Sequence, residues 1–514
     1  MGCRKEFGKP SWDADFLSPV INGTLTINNI LQGSTLQANA DSSLKIVYEN
    51  ELYKLAIDSL FTIPDTVLHQ KFNIPIPYTF MPGQQVINNN VSETTYGLQG
   101  VQLRKVILKK GFVNYTIKSL VREVTNFTYS IPSATLNGVP FSINVNVPAA
   151  NNNGPGIFNA TYDMAGYAFD LTGLNHNRIN TIATTLSVAI SAQGQQVLVN
   201  PTDSIVVDNT FSDILPYYAK GYFGQTTLNV GPEETNFDVF KRIVDGTLAL
   251  EDVDINFSLE NFIGMDARAF IYSLKSINTR TGNTITLSNS LIGSTININR
   301  ATDNNGTVTP TLLNFPLNPS NSNIKQMIEN LPDKLGYEMK FITNPLGNIS
   351  GSNDFVYADK LINAKLKMEI PLSLVANNLT LVDTLNLSIA QDNVSSSLNS
   401  GTLTLYANNG FPFDAAIQLY LLNENGTVKD SIFGYANTID EAPVNANLRA
   451  TQKKLTKLVI PFSQAKKDVL FNTKRIALKV KFNTAAKPNY IKIYSDYGIE
   501  IKLIANFNYT VNIQ

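Results

Sequence analysis

Apolar residues recur at every second position along most of this chain, and that period limits the folds open to it. Leu44, Ile46 and Tyr48 alternate with polar neighbours, as do Tyr53, Leu55 and Ile57. The pattern returns from Leu103 to Ile117, through Leu478-Lys479-Val480-Lys481-Phe482 and Ile499-Glu500-Ile501-Lys502-Leu503, and at Phe507, Tyr509, Val511 and Ile513. Side chains of a strand point to opposite faces in turn, so a period of two places one set in a core and the other in water. The expectation is a mainly β protein: multi-domain, with antiparallel β-sandwich-like modules and a few short helices. The runs on either side of Glu49-Asn50-Glu51 read as a hairpin turning on that polar triplet.

Two stretches break to a helical period. Ile324, Met327, Ile328 and Leu331 follow i, i+3, i+4, i+7, with Ser322 or Asn323 as cap and Pro332 as stop. Phe237, Phe240, Ile243 and Val244 form a second stripe ended by Gly246. Neither has a strongly basic polar face, so both are expected to cap a sheet core rather than lie on a membrane. Turns are marked by Asn151-Asn152-Asn153-Gly154-Pro155-Gly156, Asp303-Asn304-Asn305-Gly306 and Asn318-Pro319-Ser320-Asn321. The chain has 514 residues, enough for three or four domains at ~150 residues each. The expected division is a tether over 1–18, β domains over 19–125 and 126–225, a β domain with short helices over 226–395, and a C-terminal β domain over 396–514.

Composition narrows the chemistry. Charged residues are 16% of the chain, against roughly 25% in average soluble proteins, and the net charge is -1, so no global field recruits a nucleic acid. Only two histidines occur, His69 and His176, each expected in a loop or at a sheet edge, and no HExxH or CxxC is present. GxSxG, Walker A and strand-linked GxGxxG patterns are absent as well. Glu251, Asp252 and Asp254 read as a solvated strand face, and Glu233-Glu234 as the acidic start of a helix. The chain is therefore expected to be no enzyme, with no catalytic residue, metal or cofactor assigned. One local asymmetry stands out between 451 and 487, where Asp468 is the only acid among ten basic residues. Lys453, Lys454, Lys457, Lys466 and Lys467 are its candidate anionic-contact patch. Lys479 and Lys481 share one side of a strand, as lysines that discourage edge-to-edge aggregation do.

The only cysteine is Cys3, in Met1-Gly2-Cys3-Arg4-Lys5. It has no disulfide partner, and its place suits a lipid-carrying residue left after a lipobox is processed. Gly2-Cys3, the stretch Pro10-Ser11-Trp12-Asp13-Ala14-Asp15 and the Ser43–Pro64 segment together resemble mature lipoproteins of the Bacteroidota outer membrane. Asn323–Asn344, with Leu331-Pro332-Asp333-Lys334 leading into a strand, resembles large lipoproteins of the same group. The resemblance implies an outer-membrane protein held by a lipid on Cys3, at the cell surface in preference to the periplasmic face, although Arg4-Lys5-Glu6 offers one acid as export signal. It also implies O-glycosylation at Asp-[Ser/Thr]-apolar triplets, here at Ser59, Thr66, Ser204, Thr384 and Ser431. The function it implies is a binding or scaffolding subunit with outer-membrane protein partners, as in the β-barrel assembly complex or the type IX secretion apparatus. Binding of a lipid or hydrophobic ligand, and binding or cleavage of surface glycans, are the alternatives.

Overall fold

The computed structural model describes residues 11–31, 36–55, 60, 63–386, 398–432, 437–462, 466, 469–470 and 473–512. The regular structure is almost all strand, and every ladder between named strands is antiparallel. The chain is a multi-domain β protein.

Strand pairing nests the modules inside one another. Ser11–Thr26 pairs with Gly498–Asn512, which pairs with Leu398–Asn409 and then Lys454–Phe462 in a four-stranded sheet. A seven-stranded sheet built on Ile243–Leu250, Ser373–Asn386, Arg475–Thr484 and Phe413–Leu422 faces it. Leu25, Leu405 and Ile501 of the first sheet meet Ile417, Leu419 and Leu478 of the second around a common cavity. Inside this frame lies a pair of five-stranded sheets. One contains Leu44–Lys54, Ile362–Pro371 and Asp254–Asn261; the other contains Thr227–Asn236, Lys334–Thr343 and Ala267–Asn278. Innermost in the chain, a ten-stranded sheet runs from Thr66–Phe72 to Ile205–Tyr222 and borrows Asp354–Tyr357 from the middle module. It curls over its own core, since Asn209 hydrogen-bonds Tyr129 on a strand with which it does not pair.

These pairings run across the boundaries expected near 125, 225 and 395. Gln102–Ser119 pairs with Ile205–Tyr222, Asp354–Tyr357 pairs with Ile205–Tyr222, and Ser373–Asn386 pairs with Arg475–Thr484. A strand's partner is set by complementary faces, and those faces come here from far along the chain.

The expected hairpin around Glu49-Asn50-Glu51 is instead one bulged strand, Leu44–Lys54. Leu52 is the extra residue, because Tyr53 faces Ala364 while Glu51 faces Lys365. The bulge shifts the phase of the alternation, which is why the sequence shows two runs out of step. Glu49 and Glu51 lie opposite Lys367 and Lys365, so the polar triplet is a charge-matched piece of ladder.

The first helix is present as Ile324–Glu329, with Asn323 at the N-cap and Ile324, Met327 and Ile328 buried. They close one end of the middle sandwich against Leu274, Leu335 and Met368, each contributing roughly 1.5–3 kcal/mol of burial. The second stripe is not a helix. Asp238–Phe240 is a single 3-10 turn, and Ile243 opens a strand that pairs with Ser373–Asn386. Gly246 sits at a register shift in that strand with φ of 89°, where a Cβ would meet Asn378 O at 2.1 Å. Phe237, Phe240 and Ile243 are buried as expected, but in a turn and a strand. Glu233 and Glu234 lie in the strand Thr227–Asn236, where Glu233 accepts from Tyr337 at 3.0 Å and Glu234 pairs with Lys334 at 2.8 Å. Asp303–Gly306 is the turn between Thr302–Asn304 and Thr307–Thr309, with positive φ at Asn305 and Gly306.

Candidate ligand-binding groove

The ten-stranded sheet opens where two of its strands part. Thr125–Leu136 pairs with Thr181–Ile190 only as far as Ser130 and Thr185. Pro132 then removes a ladder donor, and the register with Val139–Val147 shifts between Ile131 and Thr135. Beyond that point the Ser133 hydroxyl substitutes for backbone, lying 3.3 Å from Ala183 N and 3.4 Å from Ala183 O. The three-residue strand Ala168–Asp170 fills part of the gap, between Gln102–Ser119 and Thr125–Leu136. What remains is an open groove of about 670 Å3 lined by Arg104, Lys105, Pro132, Ser133, Thr135, Asp170, Thr172, Leu174 and His176, among others.

One wall is a tightly braced loop. Asp170 accepts from Thr172 N at 2.9 Å and from the Thr172 hydroxyl, and faces His176 Nδ1 at 3.0 Å. Arg178 N donates to Thr172 O at 2.9 Å, which closes the turn. Glu93 reaches across from a neighbouring strand, accepting from Leu174 N at 2.6 Å and pairing with Arg178 at 3.2 Å. Gly173 has φ of 72°, and a Cβ there would press on Glu93 Oε1 at 2.7 Å. The loop is thus preorganised by a carboxylate on each side.

This arrangement is not a nucleophilic triad. Thr172 Oγ1 and Asp170 Oδ2 both approach the same ring nitrogen of His176, each at 3.0 Å. A triad needs its hydroxyl and carboxylate on opposite nitrogens, so that a proton can pass between them. Asp170 is occupied by its own loop. By contrast, among the described residues Arg104 and Lys105 make no ion pair, so the lining holds two cations beside the single carboxylate of Asp170. His69 lies on the strand Thr66–Phe72, exposed, with Nδ1 2.6 Å from Asp208.

The basic residues singled out between 451 and 487 are split. Lys454 and Lys457 lie on Lys454–Phe462, the edge strand of the four-stranded sheet, and Lys453 just precedes it. Lys453 pairs with Glu500 at 2.5 Å and holds that carboxyl below its usual range. Lys457 sits 5.6 Å from the Tyr406 ring centre, and Leu455 and Val459 are exposed beside it. Lys466 is elsewhere, donating to Ser431 O at 2.5 Å; Lys467 lies outside the described residues. Lys479 and Lys481 are on Arg475–Thr484, a strand paired on both sides, so they do not guard an edge.

Cys3 and Ser59 also fall outside the described residues. Of the other glycosylation candidates, Thr384 is exposed on a strand, whereas Thr66, Ser204 and Ser431 are half-buried. Thr66 Oγ1 donates to Pro64 O at 2.8 Å. Among the described residues, no group of three or more His, Cys, Asp or Glu side chains is placed to hold a metal ion. The groove itself escaped sequence reasoning. Pro132 inside an alternating strand was its one local signal, because a proline there marks an edge or a bulge.

No protein family and no curated protein matches the chain. Among solved structures, a Parabacteroides distasonis protein described as secreted aligns over 96% of this chain and 99% of its own, at 10% identity and a TM-score of 0.29. The VP2 subviral particle of infectious bursal disease virus aligns over 94% and 86%, at 8% identity and a TM-score of 0.13. Neither superposition is close enough to carry an argument about this chain.

Proposed function

We propose that this chain is a non-enzymatic binding protein of the bacterial cell envelope, held at the outer membrane by a lipid on Cys3, that presents its β modules to a partner. The observation that carries the binding reading is the open groove, with Arg104 and Lys105 on its strand in no ion pair among the described residues and a braced loop as its other wall. Its volume falls in the range of roughly 300–1,000 Å3 typical of ligand sites. Support for the anchor comes from the sequence: a lone cysteine followed within a few residues by Ser11–Thr26, the strand that opens the outer module. A lipid on Cys3 would tether that module directly, while the groove sits in the module nested deepest in the chain order. The proposed partners are outer-membrane proteins or surface molecules of the same cell, as in an assembly or secretion complex.

Two measurements test this. Mass spectrometry of the N-terminus from native membranes is expected to find acylated Cys3. Mild detergent extraction is expected to bring down a partner in fixed ratio. A free Cys3 thiol rejects the anchor. A monodisperse monomer without partner rejects the subunit reading, and a partner retained unchanged when Arg104 and Lys105 are both replaced by alanine rejects the groove as contact site.

A further inference from the structure

The groove's lining also indicates what kind of molecule it takes, and this step rests on the binding reading above. We infer that it is a site for an acidic oligosaccharide, one bearing uronate carboxylates or sulfate esters.

Charge comes first. Arg104 and Lys105 are adjacent on Gln102–Ser119, and both line the groove without an ion pair among the described residues. Lys105 lies in register opposite Asp170, the only carboxylate in the lining. That carboxylate also accepts from Thr172 N and the Thr172 hydroxyl and faces His176, and Lys105 makes no ion pair with it, so the lining holds two cations to one carboxylate. A guanidinium matches a carboxylate or sulfate with two parallel hydrogen bonds, and an ammonium beside it adds a point charge.

The remaining lining selects for sugar. Thr135 has no hydrogen bond drawn to its hydroxyl, and the exposed Pro132 and Leu174 give flat apolar contacts suited to the C–H face of a pyranose. His176 Nε2 is free, since its contacts use Nδ1. An acidic peptide would dock best by adding a strand to an open edge. Here the Ser133 hydroxyl already lies against both backbone groups of Ala183, so the groove offers no edge at that point. A single-stranded nucleic acid would need successive aromatic stacking platforms, and no Phe, Tyr or Trp is among the lining residues. That same lack of large aromatic platforms means a neutral sugar would have little to hold it, so charge must supply the affinity.

The test uses the full chain and three probes of similar length: an oligogalacturonate, its methyl ester and an oligoglutamate, compared by isothermal titration calorimetry at low salt. The oligogalacturonate is expected to bind at least about tenfold more tightly than the ester, and Arg104→Ala to weaken it about tenfold. Arg104→Lys should recover only part of that loss, because the bidentate geometry is gone. Circular dichroism of both variants checks that they fold. Equal binding of the acid and its ester, or no binding of either, overturns the inference. Oligoglutamate binding as tight as oligogalacturonate also overturns it, but leaves the binding reading of the groove standing.

Discussion

Arg300 braces the strand through which two modules join, and replacing it with methionine gives a sharp test of how. Its guanidinium donates to Asp266 at 2.8 and 3.3 Å and to Asp354 at 3.4 Å. Asp354 opens the short strand that the middle module lends to the ten-stranded sheet, pairing with Gly221. Its side chain is 1% exposed, and it also accepts from the Ser350 side chain and from Asn344 Nδ2, the latter at 3.0 Å. Burial pushes the Asp354 carboxyl up in spite of Arg300, whereas hydrogen bonds from Arg300 hold Asp266 down. Arg300→Met keeps most of the apolar volume and strands Asp354 as a buried charge. Breaking a buried pair from one side costs roughly 3–5 kcal/mol; because Arg300 is 31% exposed and Ser350 and Asn344 remain, about 3 kcal/mol is expected here. Arg300→Met with Asp354→Asn removes the stranded charge and should recover at least ~1.5 kcal/mol, a coupling a double-mutant cycle reads directly.

The pH dependence has opposite signs in the two proteins. In the native chain Asp266 has a depressed folded-state pKa, so its contribution is present above the unfolded carboxyl value of about 4 and is lost as pH falls through the folded value. In Arg300→Met the dominant group is Asp354, raised further once its cation is gone. A raised carboxyl binds its proton earlier in the folded state, so lowering pH from neutral should shrink the variant's deficit. Urea denaturation at pH 7 and at about pH 4.5, with hydrogen exchange of the amides in Asp354–Tyr357 as the local readout, measures both effects. A deficit below ~1 kcal/mol, or a double variant no more stable than the single one, would refute the reasoning.

Three further outcomes follow from the cores. Tyr115 Oη and Asn209 Oδ1 are buried without a hydrogen-bond partner, so Tyr115→Phe should be neutral or up to ~1 kcal/mol stabilising in urea melts, and a loss above that would mean the hydroxyl is satisfied in solution. Burial pushes Tyr129 and Tyr337 up to about 12, so the folded state keeps those protons longer than the unfolded chain does. Stability should therefore fall as pH rises from about 10 to 12, with ultraviolet tyrosinate absorbance lagging free tyrosine; titration of every tyrosine near 10 in folded protein would contradict it. Gly246→Ala puts a Cβ 2.1 Å from Asn378 O at positive φ, and should cost more than ~2 kcal/mol in the same melts, whereas Gly282→Ala, with open space around it, should cost less.

Much of the fold was readable because alternation is a local property. Leu103 to Ile117 buries its apolar set in the strand Gln102–Ser119, and Ile499, Ile501 and Leu503 bury theirs in Gly498–Asn512. The stripe at Ile324 worked for the same reason, since three contacts on one turn of helix are local too. The Phe237 stripe failed because five apolar residues in eight satisfy both a helix and a turn followed by a strand, and Gly246 decides between them only through a bulge made with Asn378. Glu49-Asn50-Glu51 misled because polar residues on a strand look like a turn until Lys365 and Lys367 are seen across the ladder.

By itself, then, the sequence determined that this chain is β, where most strands run, and which face of each is apolar. Pairing partners were beyond it. Ser11–Thr26 finds Gly498–Asn512 almost the whole chain away, and Leu44–Lys54 finds Ile362–Pro371. The groove depends on such pairings twice over, on strands that part at Pro132 and on Glu93 bracing a loop 81 residues downstream. A strand's alternation says only that it has a buried face; which other face completes it is set by long-range packing, and the site is built from what that packing leaves open.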